Sequence, residues 1–263
     1  MVSHPPTQAP DPPGLLVVRG VRKAFRSGGR GELVLEGASL DVGGGDLVAV
    51  VGQRWEGKTT LLELAAGMVL ADGGEVRFEG VDFASCSRRR RGKLLGREIV
   101  WLDRKELGLG LKMLDYVGLP MVMGRGPGRR RARRMAGDAL ERVGAGHIAE
   151  KHAGDLSSWE RVLVGLAGAV VAQPKLLVVD DLFDALGAGR TQLVGDLLHS
   201  LARELGFGVL FSVSDLDAAL MANRVLVFER RSLKIMSDHP ATQADDLALG
   251  TNVVPFSKPA SGG

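Results

Sequence analysis

Eight consecutive residues carry the strongest chemical signal in this chain: Gly52-Gln53-Arg54-Trp55-Glu56-Gly57-Lys58-Thr59. Their spacing is that of a phosphate-cradling loop, G-x-x-x-x-G-K-[ST]. A tight turn at a helix N-terminus aims backbone N–H groups into a concavity, and that concavity holds phosphate oxygens. Gly52 and Gly57 permit the turn, Lys58 reaches the β- and γ-phosphates, and the Thr59 hydroxyl ligates Mg2+, with Thr60 beside it. Trp55 and Glu56 stand where small residues usually let phosphates approach the backbone. A Glu56 carboxylate near a polyphosphate is unfavourable unless it turns outward. The plain alternative is a Gly-rich turn with no ligand; the apolar run before it and the helical pattern after it weigh against that.

A second acidic feature fits the same chemistry. The apolar run at residues 176–179 ends in Asp180-Asp181. An acidic residue at the carboxyl end of a central parallel strand lies beside a phosphate loop and can hold Mg2+ through water. Without the loop upstream, the pair would read as a polar strand exit.

The elements that must position these residues are legible in the hydropathy. Residues 47–51, 176–179 and 208–213 are continuous apolar runs, as strands buried on both faces should be. Residues 15–18, 33–35, 38–42, 75–78, 99–102 and 225–228 read as further strands. Helical patterns cover 58–66, 157–172 and 193–205, and another spans 114–152 with an interruption at the Gly/Arg-rich stretch 124–134. Gly67 is placed to end the first helix. Strands alternating with helices predict an α/β fold with a parallel sheet covered on both faces.

Composition bounds the answer without naming it. A chain of 263 residues, 45% hydrophobic and 25% charged, has ample material for one α/β domain with inserted subdomains. The single cysteine, Cys86, excludes an intrachain disulfide framework and fits a reducing compartment. Residues 1–14 contain five prolines and are expected to be a disordered leader, and residues 238–263 a flexible tail. The longest nearly pure apolar run, residues 162–172, falls short of the ~20 residues that span a bilayer. Membrane association is therefore expected through a partner.

Over residues 15–236 the chain resembles the ATP-binding cassette (ABC) ATPases in the order and spacing of several motifs. Leu156-Ser157-Ser158-Trp159-Glu160 begins 24 positions before Asp180, where the family carries Leu-Ser-Gly-Gly-Gln. Gln173-Pro174-Lys175-Leu176-Leu177 resembles the lead into the second acidic motif. Leu114-Asp115-Tyr116-Val117-Gly118-Leu119-Pro120 is similar to a stretch of the lipoprotein-releasing and macrolide-export branch, and Ala222-Asn223-Arg224-Val225 to the closing strand. The resemblance implies a P-loop NTPase with a RecA-like parallel core, an N-terminal antiparallel β subdomain and an inserted helical subdomain at about 111–154. It implies ATP and Mg2+ as ligands, Phe25 as the aromatic that stacks on adenine, Ser157 as a signature residue at the γ-phosphate, and head-to-tail dimers that drive a membrane permease. Such a chain lies on the cytoplasmic face of the cell membrane.

Five places depart from the family pattern. Ser158 and Trp159 replace the signature glycines, and Ser157-x-x-Glu160 reads equally well as a capping box closing the helix N-terminus on itself. Asp181 stands in for the glutamate that polarises water; a shift of ~1 Å in a catalytic group can cost ~10²-fold. No glutamine occurs between Arg97 and Pro120, leaving Asp103 as the nearest substitute metal ligand. Ser214 replaces the switch histidine, and Gly187 the dimer-loop aspartate. Retention of Lys58, Thr59 and Asp180 with loss of the rest predicts binding without efficient hydrolysis, in a homodimer or as the degenerate half of a heterodimer. A non-transport, nucleotide-responsive scaffold on the same fold is the rival reading. A repair ATPase is set aside for lack of a long coiled-coil insertion. In a head-to-tail dimer Trp55 would face Trp159 of the second subunit; packing of each within its own subunit is the alternative.

Eleven of the 34 Lys and Arg residues lie in two runs, 88–93 and 125–134. Solvated surface is the plain reading and contact with anionic lipid the sharper one. Neither run interleaves aromatics, so nucleic acid is not expected.

Overall fold

The computed structural model describes residues 14–27, 30–103, 110–123, 128–183 and 186–238. The expected leader and tail lie outside these residues, apart from Gly14 and Asp238. Two long antiparallel strands, β1 (Leu16–Ser27) and β2 (Arg30–Val42), come first. Sequence alone showed only fragments of them, because register shifts after Val18 and Lys23 interrupt the alternation. Next come β3 (Leu47–Val51) and α1 (Lys58–Ala65), then β4 (Gly73–Phe78) and the short β5 (Val81–Asp82). Strands β2, β1, β4 and β5 form one antiparallel sheet in that order.

Helix α2 (Arg88–Leu95) was not expected. It buries no residue and is started by Ser87, whose side chain accepts the Arg90 N–H. Strand β6 (Ile99–Leu102) leads to two helices of the inserted region, α3 (Met113–Met123) and α4 (Arg129–Arg142). Residues 129–134 were expected to interrupt the helical pattern, and this is corrected: they are the first turns of α4. Its apolar face is small, Ala132, Ala136, Ala139 and Leu140, so six basic residues nearby masked it.

Helix α5 (Ser158–Ala172) begins where expected, followed by β7 (Leu176–Val179). Helix α6 (Ala188–Leu205) starts five residues earlier than the pattern at 193–205. Then come β8 (Gly208–Val213), the short α7 (Leu216–Ala219), β9 (Arg224–Glu229) and β10 (Ser232–Asp238). Strand β10, which was not expected, is a solvent-facing edge strand with little apolar alternation. The core sheet runs β10-β9-β3-β8-β7-β6, parallel except for the β9–β10 hairpin.

Period-two alternation divides the core sheet between two hydrophobic layers. Leu47, Ala49, Val51, Leu177, Val179, Val209, Phe211 and Val213 pack with α3, α4, α5 and α6. Val48, Val50, Val178, Leu210 and Leu226 pack with α1 and the antiparallel sheet. The carboxyl ends of β3, β7 and β8 are thereby fixed side by side. Among the described residues no helix is long and apolar enough to cross a membrane.

The capping box at α5 is present in full. The Glu160 N–H donates to Ser157 Oγ (3.2 Å), and the Ser157 N–H donates to Glu160 Oε2 (2.8 Å). The Lys151 ammonium, then the Ser157 N–H and hydroxyl, hold the Glu160 carboxyl at about 2, against an ordinary 4.5. A depressed folded-state pKa stabilises above the ordinary value and is lost as pH falls toward the depressed one. The stability difference between the native chain and Glu160→Gln in urea unfolding is therefore constant above about pH 5 and shrinks between 4.5 and 2. A difference that does not change with pH would contradict this origin.

Candidate functional site

The loop between β3 and α1 is shaped first by its backbone. The Gly52 N–H donates to the Val213 carbonyl (3.2 Å), hooking the loop's first residue to the end of β8. Gly57 sits at φ 107°, and a Cβ there would lie 2.7 Å from Val34 Cγ1, so two independent constraints demand glycine. Trp55 adopts φ 72° and is fully exposed. Such a conformation costs a bulky residue on the order of 1–3 kcal/mol, and burial of the indole recovers none of it. The Glu56 carboxylate turns back on its own loop, where Oε2 accepts the Gln53 N–H at 2.6 Å. It lies over Gly52, beside Phe228, and does not line the cleft described below. The carboxylate that would repel a polyphosphate instead staples the turn.

Behind the loop lie two bonded groups of polar residues. Lys58 is buried, with its ammonium donating to the carbonyls of Gly52 (2.6 Å) and Gln53 (3.1 Å). Thr59 Oγ1 donates to Asp180 Oδ2 at 2.8 Å. Ser212, wholly buried within β8, donates to Asp180 Oδ1 (2.7 Å) and accepts the Asp181 N–H (2.9 Å). Asp181 is thereby held at φ 50°, a left-handed conformation that aspartate tolerates better than most residues. Burial pushes the Asp180 carboxyl above its ordinary range; the Ser212 and Thr59 bonds pull it back, Asp181 pushes it up and Lys58 pulls it down.

These groups border a cleft of about 510 Å³, which Phe25, Gly57, Lys58, Thr59, Thr60 and Asp181 all line. Phe25 stands at the far end on β1, half-exposed, with the Lys23 ammonium 5.3 Å from its ring centre. Of the residues expected at a nucleotide, the structure gathers these six, with Gly52 and Asp180 directly behind them. Ser214 and Gly187 line a neighbouring cavity of about 600 Å³ that shares Gln53 and Arg54 with the cleft.

Ser157 and Asp103 are not gathered there. Ser157 spends its N–H and hydroxyl on Glu160. Asp103 accepts the Trp101 Nε1–H (2.9 Å) and borders a groove of about 370 Å³ between β6, α3 and α5. Trp159 packs partly buried against its own core, with the Arg190 guanidinium 5.8 Å from its ring centre. Sequence reasoning missed Ser212, although a lone hydroxyl in the apolar run Gly-Val-Leu-Phe-Ser-Val was a usable signal.

The donor set of the Thr59 hydroxyl and the Asp180 carboxylate suits a hard cation that keeps water and phosphate in its remaining positions. Among the described residues no three His, Cys, Asp or Glu side chains converge to hold a metal alone.

A phosphate loop and an acidic strand end at one edge of a parallel sheet, with an aromatic supplied by a second sheet, define a nucleotide-binding α/β domain. Comparison with known proteins narrows the class. The family model described as "ABC transporter" matches residues 35–184. Similar relatives include the lipoprotein-releasing system ATP-binding protein LolD of Pseudomonas fluorescens, 32% identical over 81% of this chain and 93% of that protein. The aliphatic sulfonates import ATP-binding protein SsuB of Cupriavidus necator is 35% identical over 86% of this chain and 71% of that protein. Among solved structures, the ATP-binding cassette MJ0796, a dimer bound to ADP and Pi, superposes with a TM-score of 0.74 at 21% identity, covering 83% of this chain and 96% of that one. The chain belongs to the ABC transporter family, as an ATP-binding subunit.

Ser212→Ala would strand the Asp181 N–H and remove a donor from Asp180. Urea unfolding should show a loss of about 1–3 kcal/mol, the usual cost of stranding buried polar groups. The Asp180 carboxyl, followed by carbon NMR, should titrate at higher pH in the variant, because the lost bond favoured the charged form. An unchanged titration would show that Ser212 is only a packing residue.

Proposed function

We propose that this chain binds MgATP in the 510 Å³ cleft and hydrolyses it poorly, acting as the degenerate half of a cassette pair on a membrane permease. The observation that carries this reading is the division of the site. Lys58 is kept on the loop carbonyls and Thr59 is bonded to Asp180, so the groups that hold phosphate and metal are retained, while the groups that would use the nucleotide are changed or engaged elsewhere.

In this reading Lys58 leaves the loop carbonyls for the β/γ-phosphates, and the N–H groups at the start of α1 meet phosphate oxygens. Thr59 and Asp180 hold Mg2+, which neutralises phosphate charge and orients the γ-phosphate when bound. Phe25 stacks on the base. Asp181 reaches the cleft from a shorter side chain than the family's glutamate, and the proton-accepting oxygen falls short of an attacking water. Ser214 offers a hydroxyl in place of an imidazole. Across a head-to-tail dimer, Ser158 and Trp159 present side chains where glycine N–H groups would approach the γ-phosphate. Dimerisation with a competent second cassette accounts for these losses better than a homodimer. The dimer of the MJ0796 cassette supports the paired arrangement.

The groove lined by Trp101, Tyr116, Pro120, Gly165 and Gly168 is the proposed seat of the permease segment. It is mostly apolar with the Asp103 carboxylate at its side, and it joins the inserted helices to the edge of the core sheet. In this reading the chain lies on the cytoplasmic face of the cell membrane, held there by its permease.

The test is a MgATP titration paired with a phosphate-release assay on the purified chain. The expected result is saturable binding that Lys58→Ala abolishes, with release at the level of the Lys58→Ala control. Substantial Lys58-dependent turnover by the chain alone would overturn the reading. So would saturable binding that Lys58→Ala leaves intact.

A further inference from the structure

The first turns of α4 carry an arginine cluster that neither the nucleotide cleft nor the 370 Å³ groove uses. Arg129, Arg130, Arg131 and Arg134 are exposed. Arg133 is engaged with Asp115, and Lys112 pairs with Glu150 at 2.6 Å. Besides those engaged carboxylates, the acidic residue nearest the four arginines on α4 is Asp138, one turn beyond Arg134. Positive charge at a helix N-terminus opposes the macrodipole, α4 has no acidic residue in its first turn, and Gly128 supplies no side-chain cap. The arginines therefore cost α4 stability, and helix formation does not account for them.

Beside them lies exposed apolar surface. Leu111, Leu119 and Val122 are 36%, 39% and 44% exposed. They line a groove of about 240 Å³ between α3 and α4, floored by Gly118 and Ala132 and rimmed by Arg129, and Leu119 also borders the 370 Å³ groove. No groove lined by exposed apolar side chains is rimmed by the other basic run among the grooves described above. On α2, moreover, Arg91 is occupied by the carbonyls of Phe83 and Cys86.

We infer that this α3–α4 face rests on an anionic phospholipid surface, with the exposed arginines on headgroup phosphates and Leu111 and Val122 in the interfacial layer. Guanidinium forks match phosphate oxygens bidentately, and each basic side chain near an anionic leaflet strengthens binding by roughly fivefold. Apolar side chains beside a basic rim are the pattern of a surface that lies in the interface. A protein helix laid in a groove would need an apolar stripe of several turns; here three exposed apolar side chains fall within residues 111–122. The inference does not depend on whether the cleft turns ATP over.

Flotation of the full-length chain with vesicles tests it, using phosphatidylcholine alone or mixed equally with phosphatidylglycerol. The chain is expected to float with the mixed vesicles and not with the neutral ones. Replacing Arg129, Arg130, Arg131 and Arg134 by Gln should lower partitioning by about a hundredfold or more, whereas Lys at all four should retain most of it. Leu111→Gln with Val122→Gln should weaken binding several-fold. Arg88, Arg89 and Arg90 changed to Gln serve as the near charge-matched control, expected to keep most of the binding. Equal losses from the α2 and α4 variants would overturn the inference in favour of net charge. Absence of vesicle binding would overturn it in favour of an acidic protein partner. Unchanged melting temperatures in the Lys and Gln variants assign any loss to the surface and not to folding.

Discussion

The cost of burying the Asp180 carboxylate is the constraint on which the site depends. Strand β7 is buried along its whole length, so the residue that follows it, Asp180, emerges into the interior edge of the sheet and not into water. A carboxylate there needs donors, and Ser212 from β8 and Thr59 from α1 provide them at 2.7 and 2.8 Å. Those bonds tie the acidic strand end to the strand beside it and to the helix that follows the phosphate loop. Ser212 also fixes the backbone of Asp181. One buried charge thus sets the relative positions of β7, β8 and α1, and with them the floor of the cleft.

This dependence explains why binding and turnover separate in the proposed function. The residues proposed to hold the metal, Thr59 and Asp180, also tie the sheet edge to α1, so their loss would carry a structural cost. The residues proposed to act only on the γ-phosphate lie outside the bonds around Asp180. Ser214 and Gly187 line an open cavity, and Ser157 with Glu160 serves α5 as a capping box without reference to any ligand. Substitution at such positions leaves the bonds around Asp180 in place. Trp55 illustrates the point, since its strained, fully exposed indole adds nothing to the core.

How much was legible followed from how strongly each element advertised itself. Strands β3, β7 and β8 are uninterrupted apolar runs, and the loop between β3 and α1 has a spacing that chance seldom produces with a strand before it. The capping box was readable because it is local in sequence. Strand β10 was hidden because it faces solvent on a hairpin edge, and α2 because its one structural instruction is a serine cap on an arginine run. The start of α4 was hidden by charge, since its buried stripe is alanine and its exposed face arginine. Ser212 joins two acidic residues more than thirty positions away, a relation that only the parallel register of β7 and β8 creates.

A single-turnover experiment reaches the central claim most directly. The full chain, in excess over γ-labelled ATP with Mg2+, is sampled for label still bound as ATP and label released as phosphate. The account predicts that nucleotide stays on the protein as ATP, with release no faster than from the Lys58→Ala protein. Prompt conversion of the bound ATP to ADP and phosphate by the chain alone would contradict it.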